Sequence, residues 1–505
     1  MLPSTAQLLV EGGDARIVLD PLSAINQYGC PALPDPDLLA FGSSTASVIS
    51  PAGYAAADRL RERLQQAVAR EPAETVYSRE LERVRHELAE LAGVADLPGL
   101  EIVFATSGTD LHLIAAQLAA SHADTGADTS VDQPLQAIMI EAAETGSHVS
   151  AALGGRHFSV CAASLPHDVA DEGTAIGGAE TVVVANVSVR LEDGSPRPCA
   201  AVDAEVEALV GQAAARSQRV LLILVDVSKT GLLAPSPACV ATLKQRFPLL
   251  VDVMVDACQF RIAAATLRAY LELGFMVALT GSKFMTGPTF SGALLLPRSL
   301  AATLRRRSPP DALWAYSCRA EWPAGWAVAG LAHYANFGLL LRWEAALTEL
   351  RAFSAVPAGT VAYILEAFAR AVQTRLEADP LLVALDVPPL DRCPLIEATG
   401  WDHIQTIFPF LMRHPDGTFL TRAETARVYQ LLQAGDADDG VRCQFGQPVP
   451  CGRRGEIPVS ALRLCASARL VVEAARDEHA LTALISRAML ALDKTVALVR
   501  EMSAA

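Results

Sequence analysis

Leu279-Thr280-Gly281-Ser282-Lys283-Phe284-Met285-Thr286-Gly287-Pro288 sets a lysine just past an apolar run and brackets it with Gly, Ser and Thr. Lysine is rare here, because of 41 Lys and Arg only Lys229, Lys244, Lys283 and Lys494 are lysines. An ammonium drawn into a desolvated strand end is costly, and its pKa falls until the free amine becomes a usable nucleophile. Amines of that kind commonly condense with a carbonyl group. A plainer reading is a lysine snorkelling from the strand end to water. Lys244 and Lys494 fall on polar faces of helical patterns, which leaves Lys229, in Val227-Ser228-Lys229-Thr230-Gly231, as the rival candidate.

Twenty-seven residues upstream of Lys283 lies Val253-Met254-Val255-Asp256-Ala257-Cys258-Gln259, an acid at the end of an apolar strand. A carboxylate suits the core badly there, but it suits a cationic ring nitrogen, where a charge-assisted hydrogen bond contributes about 1.5–3 kcal/mol. An aldehyde cofactor on the lysine and a pyridinium opposite the acid fit the pair together. Asp256 as a cap for the following helix is the plainer alternative. Farther upstream, Phe104-Ala105-Thr106-Ser107-Gly108-Thr109-Asp110 turns from a strand into a helix. Its open N–H groups and helix dipole make a phosphate seat at Ser107, Gly108 and Thr109. Neither a P-loop lysine nor G-x-G-x-x-G accompanies it, which disfavours a nucleotide or nicotinamide site.

Outward from these motifs, short apolar runs alternate with helical segments: 102–105, 137–140, 181–185, 220–227, 250–255, 276–280 and 292–296. Runs apolar on both faces predict an α/β fold, a mostly parallel sheet with helices on both faces. The first fifty residues, rich in Pro, Gly and Ser, read as an irregular segment, and helical periodicity starts near Ala55 and breaks at Pro72. A long amphipathic stretch over 332–377 leads to a mixture of strands (404–412, 442–445, 461–465) and helices (422–433, 473–502). The expected division is an N-terminal segment 1–54, a large cofactor-binding domain 55–335 and a smaller α+β C-terminal domain 336–505.

Ser-Gly-Thr-Asp, then Asp256-Ala257-Cys258-Gln259, then Gly281-Ser282-Lys283 with Gly287-Pro288, over roughly residues 40 to 470, resembles the fold-type I pyridoxal 5′-phosphate (PLP) enzymes of the class V aminotransferase and cysteine desulfurase group. The resemblance implies PLP as a Schiff base on Lys283 and its ring nitrogen on Asp256. It implies Gln259 and Ser228 at the phenolic oxygen, and Thr280 and Ser282 joining Ser107, Gly108 and Thr109 at the phosphate. It also implies Arg463, in Ala461-Leu462-Arg463-Leu464-Cys465, as a clamp for an amino acid's carboxylate, a task that suits a guanidinium. Function then reads as a PLP enzyme on an amino acid, with Lys283 as base at Cα. Transamination leads, a lyase or desulfurase is the alternative, and a cofactor-free scaffold is the remote one.

The pattern departs from the group in three places. Ser282 stands where the group usually has a His before the lysine. Thr145 stands where relatives stack a His on the ring, with His148 a turn further on. In Arg442-Cys443-Gln444-Phe445-Gly446-Gln447-Pro448, Phe445 falls at the position of one subgroup's persulfide cysteine, and Cys443 lies two residues away.

Composition narrows the rest. A formal charge of −15 gives no general attraction to nucleic acid or anionic lipid. No run reaches the ~20 apolar residues of a membrane span. Ten cysteines without a C-x-x-C pair read as reduced, mostly buried thiols, with no metal site. The expected protein is a cytoplasmic homodimer whose partner is a small-molecule amino acid.

Overall fold

The computed structural model describes residues 1–121, 134–159, 171–305, 307–328, 330–397, 400–435 and 440–504. Strand β1 (Leu38–Phe41) belongs to the smaller of two sheets. The larger holds β2 (Glu101–Ala105), β3 (Leu135–Ile140), β4 (Val182–Val187), β5 (Val220–Val225), β6 (Val251–Ala257), β7 (Met276–Thr280) and β8 (Gly292–Leu296), in the order β2-β8-β7-β6-β5-β3-β4. β8 runs antiparallel to both of its neighbours, and the other pairs are parallel. All seven apolar runs of the sequence thus enter one sheet, and β3, β5, β7 and β8 are buried throughout, as strands covered on both faces must be.

The smaller sheet adds β9 (Leu382–Ala384), β10 (Ile407–Met412), β11 (Arg442–Arg454) and β12 (Ile457–Cys465), ordered β1-β11-β12-β10-β9. β1 pairs parallel with β11, and the remaining pairs are antiparallel. β11 runs well past Phe445 although Pro448 and Pro450 read as breakers. The register slips between Gly446 and Val449 and again between Pro450 and Arg453, and such bulges accommodate residues without an N–H to donate. The single helix expected over 473–502 is two, Ala468–Ala474 and Glu478–Ala504.

The first fifty residues are not irregular throughout. A helix at Thr5–Leu9 starts in a capping box between Ser4 and Gln7, and β1 puts Leu38–Phe41 beside β11. Two ties hold these parts together. Arg342, fully buried in the helix Phe337–Ser354, donates to the carbonyls of Phe290 (2.7 Å), Glu11 (2.6 Å) and Gly12 (3.0 Å). Arg392 pairs at 2.6 Å with Asp226, whose other oxygen also takes the Tyr270 hydroxyl at 2.8 Å.

Among the described residues no single helix is long and apolar enough to cross a membrane; the bent pair Phe337–Ser354 and Ala358–Ala378 passes by length and composition alone.

Candidate active site

The parallel strands β2, β3, β5, β6 and β7 end at one rim, and their C-terminal turns line a cavity of about 220 Å³. Open α/β sheets offer their ligand crevice at that edge. Lys283, Asp256, Gln259, Ser107, Gly108, Thr109, Ser228, Thr280, Ser282, Thr145, His148 and Arg463 all line it. Cys443 does not; it is buried in β11, opposite Leu39 of β1.

Glycines shape the Lys283 turn for a packing reason. A Cβ at Gly281 or at Gly287 would come within 2.6 Å of the Ala346 Cβ, so the turn lies directly on the helix Phe337–Ser354. Gly281 N–H donates to the Ser291 carbonyl and Gly287 N–H to the Gly281 carbonyl, and the Ser47 hydroxyl takes the Lys283 carbonyl at 3.1 Å. Val227, Phe260, Thr286 and Phe290, all beside this rim, adopt positive φ (64°, 54°, 57° and 74°). For β-branched and bulky residues this is stored strain, typically concentrated at functional sites.

Asp256, 8 % exposed, accepts from the Cys258 N–H at 3.1 Å and faces His112 Nε2 at 3.3 Å. Burial alone would push its carboxyl up, but His112 and then Lys283 outweigh it and hold the group well below the usual carboxylate range. A carboxylate is thereby kept ionised inside the protein. The Gln259 amide donates to the Ser44 carbonyl at 2.9 Å, leaving its second N–H. Ser228 gives its hydroxyl proton to Glu144 (2.6 Å), and Thr280 gives its own to the Cys258 carbonyl (2.6 Å). Neither hydroxyl, so engaged, has a proton left to donate into the cavity. The Thr145 hydroxyl is buried without a hydrogen-bond partner among the described residues. His148 lies farther out, with Nδ1 at the Ser147 hydroxyl and Nε2 at 3.3 Å from Glu172.

Sequence reasoning missed Arg16. From a 3₁₀ turn at Ala15–Ile17 it donates to Thr109 Oγ1 (3.0 Å) and Ser107 Oγ (3.2 Å), oriented by Asp14 at 2.6 Å. A buried guanidinium therefore stands at the helix N-terminus where a phosphate was expected. Gly108 keeps this seat open, since a Cβ there would press on the Cys258 sulfur at 3.0 Å. Asp110 lies behind the seat, its carboxyl pushed up to about 6 by burial and then by Asp14. Glu144 was missed as well: it takes Arg190 Nε at 2.7 Å together with the Ser228 and Thr230 hydroxyls, closing the wall beside Lys229. Only long-range contacts reveal these residues; Arg16 and Thr109 are 93 positions apart.

Arg463, 1 % exposed, is held by the Thr45 hydroxyl (2.9 Å) and by the carbonyls of Gln447 and Lys229, while its Nε has no acceptor among the described residues.

The fold recurs in solved structures. The cystine C-S lyase C-DES, in complex with its reaction product cysteine persulfide, superposes with a TM-score of 0.51 at 15 % identity, over 89 % of this chain and 97 % of that one. Oryza sativa TDC with PLP gives 0.52 at 13 % identity, over 92 % and 84 %. A NifS-like protein gives 0.51 at 12 %, over 90 % and 99 %. The fold is that of the fold-type I PLP enzymes. No family model matches the sequence, and no curated protein matches it. Identities this low carry the fold-type I architecture and not a reaction, so the chemistry has to come from the cavity.

Proposed function

We propose that this chain is a PLP-dependent enzyme acting on an amino acid. The observation that carries the reading is the convergence on one cavity of Lys283, an ionised Asp256 and the Ser107-Gly108-Thr109 turn with Arg16 across it. The donor set suits the cofactor. A buried guanidinium and a helix N-terminus suit a phosphate dianion, a carboxylate kept ionised suits a pyridinium nitrogen, and a lysine lies near enough to Asp256 to lower its pKa. PLP supplies an aldehyde that condenses with amines and a ring that accepts an electron pair from Cα.

The residues then divide the work. Lys283 would hold the cofactor and serve as the base for the proton at Cα. Asp256 keeps the ring nitrogen protonated. Arg463, which lines the cavity, orients the substrate carboxylate. These roles serve transamination, which is the leading reading. A lyase is the second, and one observation favours it over a desulfurase. Cys258 is, among the described residues, the cysteine that lines the cavity, and burial followed by Asp256 pushes its thiol well up. A persulfide relay needs a thiolate, whereas elimination needs none. A symmetric homodimer in the cytoplasm belongs to the same reading.

The test is the visible absorption of the purified protein before and after borohydride, beside Lys283→Ala. The expected result is a yellow band that borohydride bleaches and that the variant lacks. A colourless protein that PLP cannot reconstitute rejects the proposal. Release of a 2-oxo acid that depends on an acceptor 2-oxo acid then marks transamination, and acceptor-independent ammonia or sulfide marks a lyase.

A further inference from the structure

We propose that Lys229 anchors a second acidic group on the substrate, so that the amino acid taken by this site carries a carboxylate on its side chain. The inference rests on the PLP reading above and specifies its substrate class.

Lys229 occupies the turn after β5, and its backbone is fixed from two sides. Its N–H donates to the Glu144 carbonyl at 2.8 Å, and its own carbonyl accepts from Arg463 Nη1 at 3.2 Å. Two residues before it, Val227 takes up a φ of 64° to make this turn. A lysine is thereby set on the cavity wall next to the guanidinium assigned to the α-carboxylate. The half-buried side chain lines the cavity and has no ion pair among the described residues. Glu144 is the acid of that wall, and it is already committed to Arg190, Ser228 and Thr230. Asp256 is committed to His112.

Lys229 is thus a cation whose nearest acid, Glu144, is already engaged by other donors. Burial, and after it the cations Arg463 and Lys283, bring its ammonium down to about 7. A cation kept without a partner in a cleft is uncommon for a structural residue and usual for one whose partner is a ligand. The charge of Lys283 reaches Asp256, while Lys229 stands beside Arg463, which separates the two roles: Lys283 for the cofactor, Lys229 for the substrate.

Titration of the PLP-loaded full chain with succinate and with butyrate, followed by calorimetry, tests the assignment. Wild type should bind the dicarboxylate at least about ten-fold more tightly, as a desolvated charge-assisted contact provides. Lys229→Gln should bring succinate to parity and leave butyrate unchanged; Lys229→Arg should keep the preference. Succinate should raise the Lys229 pKa, so its affinity is full below about pH 7 and falls above it. Arg463, Lys283, Glu144 and His148 face this ammonium, and loss of the pH dependence in Lys229→Arg assigns it to residue 229.

Equal affinities in wild type, or a preference that survives in Lys229→Gln, overturns the proposal. So does loss of the visible band in Lys229→Gln, which would make Lys229 the cofactor's lysine. If the protein never takes up PLP, the same titration without it still reports on Lys229, so the two readings fail separately.

Discussion

His112 stands between the two halves of the cofactor seat: Nδ1 lies 2.7 Å from the Gly108 carbonyl at the phosphate end, and Nε2 lies 3.3 Å from Asp256 Oδ2 at the ring end. Of the groups that face Asp256, His112 does most to hold its carboxyl low against burial.

Replacing it should therefore move the acid limit of cofactor binding. A carboxyl held low contributes above its ordinary range and loses that contribution as pH falls through its lowered value. In His112→Ala burial is no longer outweighed, and Asp256 takes up its proton at higher pH. The visible band of the variant should fade between about pH 6 and pH 4, around ordinary carboxyl values, where wild type keeps it. Identical profiles would remove His112 from this role.

Arg16 bears on the phosphate alone. Arg16→Met should weaken PLP about 10- to 100-fold, the range of one charge-assisted hydrogen bond, and leave pyridoxal, which has no phosphate, unaffected. Equilibrium binding followed by absorbance decides this; equal losses for both aldehydes would mean that Arg16 acts on the fold instead.

Glu321 gives a stability prediction away from the site. It is buried against the Cys318 N–H (2.7 Å) and the Ser317 hydroxyl (3.0 Å), and burial pushes its carboxyl from 4.5 up to about 7. A raised acid leaves stability intact below its ordinary pKa and erodes it as pH rises through the raised value. Glu321→Gln can still accept both hydrogen bonds, so it should match wild type near pH 4 and exceed it by up to about 3 kcal/mol at pH 8. Urea unfolding at the two pH values measures the difference.

Asp226 and Arg392 join the large sheet to the segment before β10. Arg392→Ala leaves a buried carboxylate with the Tyr270 hydroxyl alone and should cost about 3–5 kcal/mol. Asp226→Leu together with Arg392→Met should cost less than the single change, because no lone charge is left behind. Denaturant midpoints of the two variants make the comparison.

Much of the larger sheet could be read in advance because its strands are short, apolar and separated by helical periodicity; β7 and β8 span Met276–Thr280 and Gly292–Leu296, the stretches marked from sequence alone. β11 was harder, since its prolines sit at bulges that no local pattern announces. At the site, the residues at strand ends were legible because an acid or lysine following an apolar run is locally anomalous. Arg16, Tyr28, Ser44 and Thr45 were not, since each comes from a stretch whose composition says only that it is polar and irregular, and their place in the cavity depends on where a distant sheet carries them.

The stretch from Phe41 to Ser47 threads past Arg463, Gln259 and Lys283, giving bonds to each, while β1 leans on a strand formed some four hundred residues later. The wall of the cavity is therefore assembled from stretches some four hundred residues apart in this sequence. A nascent chain still lacking residues 442–467 has the lysine and the aspartate but no partner for β1 and no carboxylate clamp. The clamp for the substrate carboxylate would thus form only once β12 is in place, a closing step that reports whether both parts of the chain have found each other.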